Sequence, residues 1–287
     1  MKSLFRRSAP GHRVGLLLAS DRILLACVEP RPLFTSRAVN GPHEWPQAMS
    51  ELFGQHGLAK SKVRVALAAT LYQQIQIDKP AVPDAEMAGA LPWAIKDFVN
   101  EPVLQLAMDY VDLPTPPAGR PRINVICVPK NRVKQLADAV NGLATLEAIV
   151  SDELAMTALY EADQAVRMLL WQPKGQELQL LVFHRGGLCF SRQLRGFGSL
   201  TGAHEPDGDL LDGLALEIQR SLDYLAGQLK LPEPGQLQLA IGSSFIGVLV
   251  RHLEQAFGFP VSAMANKAVL AGVEYLSAYG AALGRSE

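Results

Sequence analysis

The feature that most constrains this chain is an apolar, strand-length pattern that occurs twice. Near the start, residues 14–19, 23–28 and 33–39 read as three short strands, the first two folded about the polar step Ser20–Asp21. The same plan opens again at Val166, with strands expected at 166–171, 178–183 and 188–194 and turns at 173–175 and 184–187. Apolar runs of about four to eight residues bounded by polar or glycine turns predict buried strands. Each meander leads into an amphipathic helix and a further apolar strand: helix 44–55 and strand 62–68, then helix 209–229 and strand 237–241. In the second of these helices Leu210, Leu211, Leu214, Ile218, Leu222, Leu225 and Leu229 keep to one helical face. Two such units in 287 residues predict a duplicated α/β architecture, not an array of short repeats.

A different composition separates the strand at 62–68 from the strand at 146–150. Pro80 and Pro83 break the chain, and Asp84 has the chemistry of an N-cap for a helix through about Val99. Strands at 104–113 and 122–128 follow, joined by the proline-rich loop 114–121, which is expected to be exposed. A helix over 130–141 closes the module at Gly142. The order helix, strand, strand, helix predicts an inserted α+β unit at 79–143. The first half is then expected at 12–78 and 144–165, and the second at 166–205 and 236–287, with 206–235 a helical segment. Asp152 is expected to cap a helix through Tyr160, and helices are expected at 246–257 and 267–283. A ligand cleft would lie between the halves, facing strand ends and glycine turns.

Composition excludes several function classes. The formal net charge of −1 provides no field for nucleic acid, and no alternation of aromatic and basic residues is present, so no nucleic-acid partner is expected. The 3 cysteines, Cys27, Cys127 and Cys189, lie far apart in apolar runs with no CxxC or Cys/His cluster. Neither a zinc site nor a disulfide framework is expected, and a reducing compartment fits. The 6 histidines are scattered, none at metal-ligand spacing from a carboxylate. No apolar run approaches the roughly 18 residues that span a bilayer. Residues 1–7 (MKSLFRR) are basic, but Asp21 and Arg22 break the apolar run after them, so no signal peptide is expected. Leu4 and Phe5 beside Lys2, Arg6 and Arg7 read either as a frayed basic terminus or as a weak contact to an anionic membrane.

Four stretches, in this order, carry a resemblance to a known family: residues 90–98 (ALPWAIKDF) with 108–110 (MDY), 151–160 (SDELAMTALY), 190–192 (FSR) with 196–201, and 217–224 (EIQRSLDY). The chain resembles the PilM branch of actin-like proteins over almost its whole length, and especially the MshI relatives of mannose-sensitive (MSHA) type IV pilus assembly. The resemblance implies a duplicated ribonuclease H-like/actin-like ATPase fold, α/β in class, with an inserted α+β subdomain on the first half. It also implies a cytoplasmic protein, peripheral to the inner membrane, that binds the short tail of a bitopic PilN-like protein in a groove beside the insert. Through that partner it would join a pilus assembly ATPase to the alignment complex. The cytoplasmic domain of the type II secretion protein GspL shares this plan but continues into a membrane helix, which is not expected here. The chain departs from the PilM pattern in the short segment between Thr201 and Glu217, which implies a reduced subdomain above the second half.

The second departure concerns the nucleotide. Actin-like ATPases hold phosphates on two glycine-rich hairpins, with an aspartate in each to place Mg²⁺ or water, because phosphates approach the backbone closely and Mg²⁺ prefers oxygen ligands. In this chain the corresponding places hold Leu17 and Ala19 in the first hairpin and Leu170, Trp171, Gln172 and Pro173 in the second. If nucleotide is retained, Ser20, Asp21, Gly242 and Ser243 are the residues that would hold it, although an Asp at 21 also simply suits a turn. The expectation is a pseudo-ATPase scaffold with no catalytic residue, no cofactor and no metal. The alternatives are an ATP- and Mg²⁺-binding ATPase of pilus assembly, or a GspL-like secretion component. The helix after Asp84 carries Met87, Leu91, Ile95 and Phe98 as one apolar stripe, with Trp93 off it. Trp93, Phe98, Asp109 and Tyr110 are the expected partner-binding residues, and strand 104–113 would accept a peptide by edge pairing.

Overall fold

The computed structural model describes residues 12–29, 31–173, 175–202 and 204–284; the basic start at 1–7 lies outside them. The chain opens with an antiparallel meander, β1 (Arg13–Leu18), β2 (Arg22–Cys27) and β3 (Leu33–Ala38), then α1 (Trp45–His56) and β4 (Lys62–Leu67), which pairs parallel with β1. Next come β5 (Gln73–Asp78), α2 (Asp84–Ile95), β6 (Leu106–Asp112) and β7 (Arg122–Pro129). Helix α3 (Lys130–Asn141) leads to β8 (Thr145–Ser151), parallel to β4, and to the one-turn helix α4 (Asp152–Ala155). The second half repeats the plan: β9 (Arg167–Gln172), β10 (Leu178–His184), β11 (Gly187–Leu194), α5 (Gly208–Gly227), β12 (Gln236–Ile241), α6 (Ile246–Ala256), β13 (Val261–Ala263), α7 (Lys267–Ala271) and α8 (Leu276–Leu283). The two main sheets have the same order, β3-β2-β1-β4-β8 and β11-β10-β9-β12-β13, as the duplicated sequence plan predicts.

Central strands of these sheets are buried on both faces, which is why they read as nearly continuous apolar runs. Val14, Leu16 and Leu18 of β1 face a core built with Trp45, Met49, Leu52 and Phe53 of α1. Leu17, on the opposite face of β1, joins Leu24, Ala26 and Ala66 beneath Ala278 and Ala281 of α8. In the second half Leu211, Leu214, Ile218 and Leu225 of α5 enter the core of the second sheet. Helix α5 thus follows its meander as α1 follows the first, and it makes up most of the reduced segment. Asp207 caps it by accepting from the Leu210 amide at 2.8 Å.

Several expected boundaries move. Strand β5 pairs with β7 from Gln73↔Cys127 to Asp78↔Arg122, so the inserted sheet, ordered β5-β7-β6, takes residues assigned above to the first half. Only Ile75 and Ile77 of β5 are buried, under α2, the alternation of a sheet with one face covered. Helix α3, expected to close the insert, instead buries Leu136 and Val140 in the first-half core beside α1. The helix over 84–99 ends at Ile95, with Pro83 in the cap position expected for Asp84. The helix over 267–283 is broken at Gly272, whose φ of 151° is closed to most side chains. The proline-rich loop is exposed at Gly119, Arg120 and Pro121 as expected, but residues 114–117 are half-buried, and a Cβ on Gly187 would stand 2.6 Å from Pro114 Cγ, so the insert rests on the second half.

The halves exchange their closing helices. Met156, just after α4, packs with Leu169, Leu181 and Phe183 of the second sheet, while α8 lies on β1 of the first. A Cβ on Gly15 would fall 1.9 Å from the Ala278 carbonyl oxygen, and one on Gly280 would fall 2.3 Å from the Ala155 carbonyl oxygen. Both contacts are backbone against backbone, so a methyl group has nowhere to go. Gly15→Ala is therefore expected to lower stability at the upper end of the roughly 1–3 kcal/mol of an overpacked core or beyond. Gly54→Ala in α1, where a Cβ meets nothing within 4 Å, is expected to raise it slightly. Denaturant midpoints of the two variants check the contrast.

Candidate functional site

In the first hairpin the Ala19 amide donates to the Arg22 carbonyl at 2.9 Å, closing a tight turn, and the Trp45 indole donates to the Ala19 carbonyl at 3.1 Å. Ser20 is exposed. Asp21 pairs with Arg22 at 2.6 Å, and the guanidinium holds its carboxyl below the usual range. In the second hairpin Trp171 is buried and its indole N–H donates to the Val273 carbonyl at 3.0 Å. Gln172 Nε2 donates to the carbonyls of Gln176 and Phe197, and its Oε1 is buried with no hydrogen-bond partner among the described residues. The Gly242 amide donates to the Gln172 carbonyl at 3.2 Å, and the Ser243 hydroxyl accepts from the Phe245 amide at 3.1 Å. Asp21, Gly242 and Ser243 are thus engaged with nearby backbone or side chains at their own turns. Among the described residues no group of three or more His, Cys, Asp or Glu is placed to hold a metal ion.

A groove of about 210 Å³ opens between the insert and the first half. Its insert side is residues 107–111 of β6 with Ile126 and Val128 of β7; its other side includes Ile149, Val150 and Ser151 of β8, with Tyr72 and Leu154. Strand alternation explains the lining: Ile123, Val125 and Cys127 of β7 face α2, so Ile126 and Val128 face away from it. Strands β6 and β8 are the terminal strands of their sheets, so the groove lies between two sheet edges. An edge strand carries backbone N–H and C=O groups that no neighbouring strand satisfies.

The expected partner-binding residues fall in two places. Asp109 and Tyr110 line the groove. Asp109 is exposed, its carboxylate accepting from the Tyr110 amide at 2.8 Å, and the Lys79 ammonium lies 5.6 Å from the centroid of the Tyr110 ring. Trp93 and Phe98 are not among the lining residues. Met87, Leu91 and Ile95 are spaced one turn apart and bury the inner face of α2; Trp93, two residues from Leu91, points outward at 76% exposure. Phe98 is 59% exposed, because α2 ends before it and the helical spacing no longer applies.

A pair of buried acids at the back of the groove was not anticipated. Ser151, not Asp152, caps α4, accepting from the Leu154 amide at 3.2 Å. Asp152 accepts from the Ala69 amide at 3.1 Å and the Tyr72 hydroxyl at 2.9 Å. Glu153 accepts from the Ser191 hydroxyl of β11 at 2.6 Å. Burial pushes the Asp152 carboxyl up to about 6, against bonds from Tyr72, Ala69 and Glu153 that favour the ionised form. Burial pushes Glu153 up to about 7, with the Asp152 charge acting the same way against the Ser191 bond. Two acidic residues set between an apolar strand and Leu154-Ala-Met were the available signal, but a cap reading absorbed it.

Both folded-state values lie above the ordinary carboxylate values of 3.8 and 4.5, so the folded chain keeps protons that the unfolded chain releases. The stability this pair contributes is present below about pH 4 and is lost as pH rises through about 6 to 7. Denaturant midpoints are expected to fall between pH 6 and pH 8, and Glu153→Gln is expected to flatten that slope and to exceed the parent in stability at pH 8.

No protein-family model matches the chain, and no curated protein matches it. Among solved structures it is similar to the PilM-PilN type IV pilus biogenesis complex, at 18% identity and a TM-score of 0.68, over 96% of this chain and 98% of that one. It is similar to the cytoplasmic domain of EpsL, an inner-membrane component of the type II secretion system of Vibrio cholerae, at 13% identity and a TM-score of 0.50, over 93% and 94%. It is also similar to a Bacteroides thetaiotaomicron protein of unknown function with an actin-like ATPase fold, at 12% identity and a TM-score of 0.51, over 92% and 95%. The chain has the actin-like ATPase fold.

Proposed function

We propose that this protein is an actin-like adaptor of type IV pilus assembly, of the MSHA kind, that hydrolyses no ATP. It holds an extended cytoplasmic segment of a PilN-like inner-membrane protein in the groove between the insert and the first half. The observation that carries this reading is the groove itself, apolar along both walls and bordered by two sheet edges. An extended peptide laid there gains backbone hydrogen bonds from an edge and side-chain burial from the walls. The whole-length likeness to PilM in its complex with PilN supports it. The pseudo-ATPase part rests on Trp171 and Leu17, buried apolar side chains where phosphate hairpins carry carboxylates. No described helix is long and apolar enough to cross a membrane, and a membrane-anchored partner would supply attachment. The likeness to EpsL favours, as a second reading, a component of type II secretion; neighbouring pilin or secretion-pore genes separate the two.

Titration calorimetry with a synthetic peptide of the partner's cytoplasmic tail tests the groove. Ala107→Arg, which puts a long cation into the groove from β6, is expected to weaken binding at least tenfold, about 1.4 kcal/mol. Trp93→Ala, on the outward face of α2, is expected to leave it unchanged. Equal affinity in a folded Ala107→Arg variant contradicts the reading. For the nucleotide, a melting scan with millimolar Mg-ATP is expected to show no shift; saturation a hundredfold above the dissociation constant would add about 2.7 kcal/mol of stability.

A further inference from the structure

Helix α4 is one turn long, and its two acids bond to different halves. Asp152 holds the Tyr72 hydroxyl and the Ala69 amide, both on the first half, and Tyr72 is part of the groove. Glu153 is held by Ser191, which lies on β11 of the second half. Ser191 does not line the groove; it opens on a separate cleft between the insert and α5. The flanking residues Ser151 and Leu154 do line the groove. On its remaining side α4 meets α8, with the Ala155 carbonyl close against Gly280.

A single helical turn fixed at three points has no internal freedom to absorb a displacement. If β11 moves relative to the first sheet, Glu153 carries the movement into α4, and Asp152 passes it to Tyr72. If Tyr72 is repositioned by a peptide, the same chain of bonds runs the other way, since coupling between two sites is reciprocal. Asp152 and Glu153 are buried, so a carboxyl that loses its bond there has no water to replace the partner, while Tyr72 and Ser191 are half-buried.

We infer that α4 couples the groove to the seating of the second half, with Asp152 the positioning residue for the groove wall and the Glu153–Ser191 bond its link across the halves. This rests on the groove being the binding site proposed above. Occupancy of the groove then tightens the contact between the halves, and a change at Ser191, outside the groove, changes the affinity of the groove for its peptide.

The test is amide hydrogen exchange on the full chain, first without any partner, for the parent, Ser191→Ala and Ser191→Thr. Ser191→Ala is expected to speed exchange at the Ala69 and Leu154 amides by roughly threefold or more, while α2 in the insert stays unchanged. Ser191→Thr keeps the hydroxyl and is expected to restore the parent rates. With the partner-tail peptide, Ser191→Ala is expected to weaken binding about threefold, and adding Tyr72→Phe is expected to give less than the sum of the two single effects. Parent-like exchange at Ala69 in Ser191→Ala overturns the coupling whether or not peptide binds. Faster exchange with undiminished peptide affinity also overturns it, while leaving the groove as the binding site. Altered exchange at Ala69 with no peptide bound by any form overturns the groove reading and leaves the link between the halves standing.

Discussion

The two halves of this molecule meet through backbone pressed on backbone. Gly15 of β1 lies under α8, and Gly280 of α8 lies against α4, with no side chain between. The patch of the first sheet that α8 covers is made of short side chains, Ala26 and Ala66 beside Leu17 and Leu24, and only a helix at closest approach fills it. In return Met156 and its neighbours, from the first half, complete the inner face of the second sheet. Each half depends on the other's closing segment to bury its sheet, so the halves form one cooperative unit. The positions of the hairpins, of α4 and of the back wall of the groove all follow from that exchange.

The same exchange draws in both hairpins. Leu17 is part of the cluster under α8, and Trp171 reaches the Val273 carbonyl in the segment just before α8. An indole N–H buried without an acceptor would be costly, and Val273 supplies one. Leu17 and Trp171, at the places the family resemblance assigns to phosphate chemistry, are here part of the packing that joins the halves. The inserted sheet and the first sheet each present an edge to a common groove, the binding site proposed above.

Much of this was legible in the sequence. The two meanders announced themselves because central strands buried on both faces leave unbroken apolar runs. Strand β5 was missed because no glycine or proline separates it from β4, and its alternating glutamines and isoleucines read as a continuation. Helix α3 was assigned to the insert because an amphipathic pattern says which face is apolar but not what covers it. Asp109 and Tyr110, singled out in the sequence, line the groove, while Phe98 falls off the buried face because the stripe extends past the end of its helix. Asp152 and Glu153 escaped because helix caps and buried acids use the same residue types, and only the fold brings Tyr72 and Ser191 to them.

The most direct measurement is amide hydrogen exchange along β6 and β8 with and without the cytoplasmic tail peptide of the PilN-like partner. An extended segment held between the two sheet edges protects backbone amides of one or both strands, and the expected result is slowing of at least about tenfold there, with none on the outward face of α2. Peptide binding that leaves β6 and β8 unchanged and instead protects the region around Trp93 and Phe98 would contradict the account.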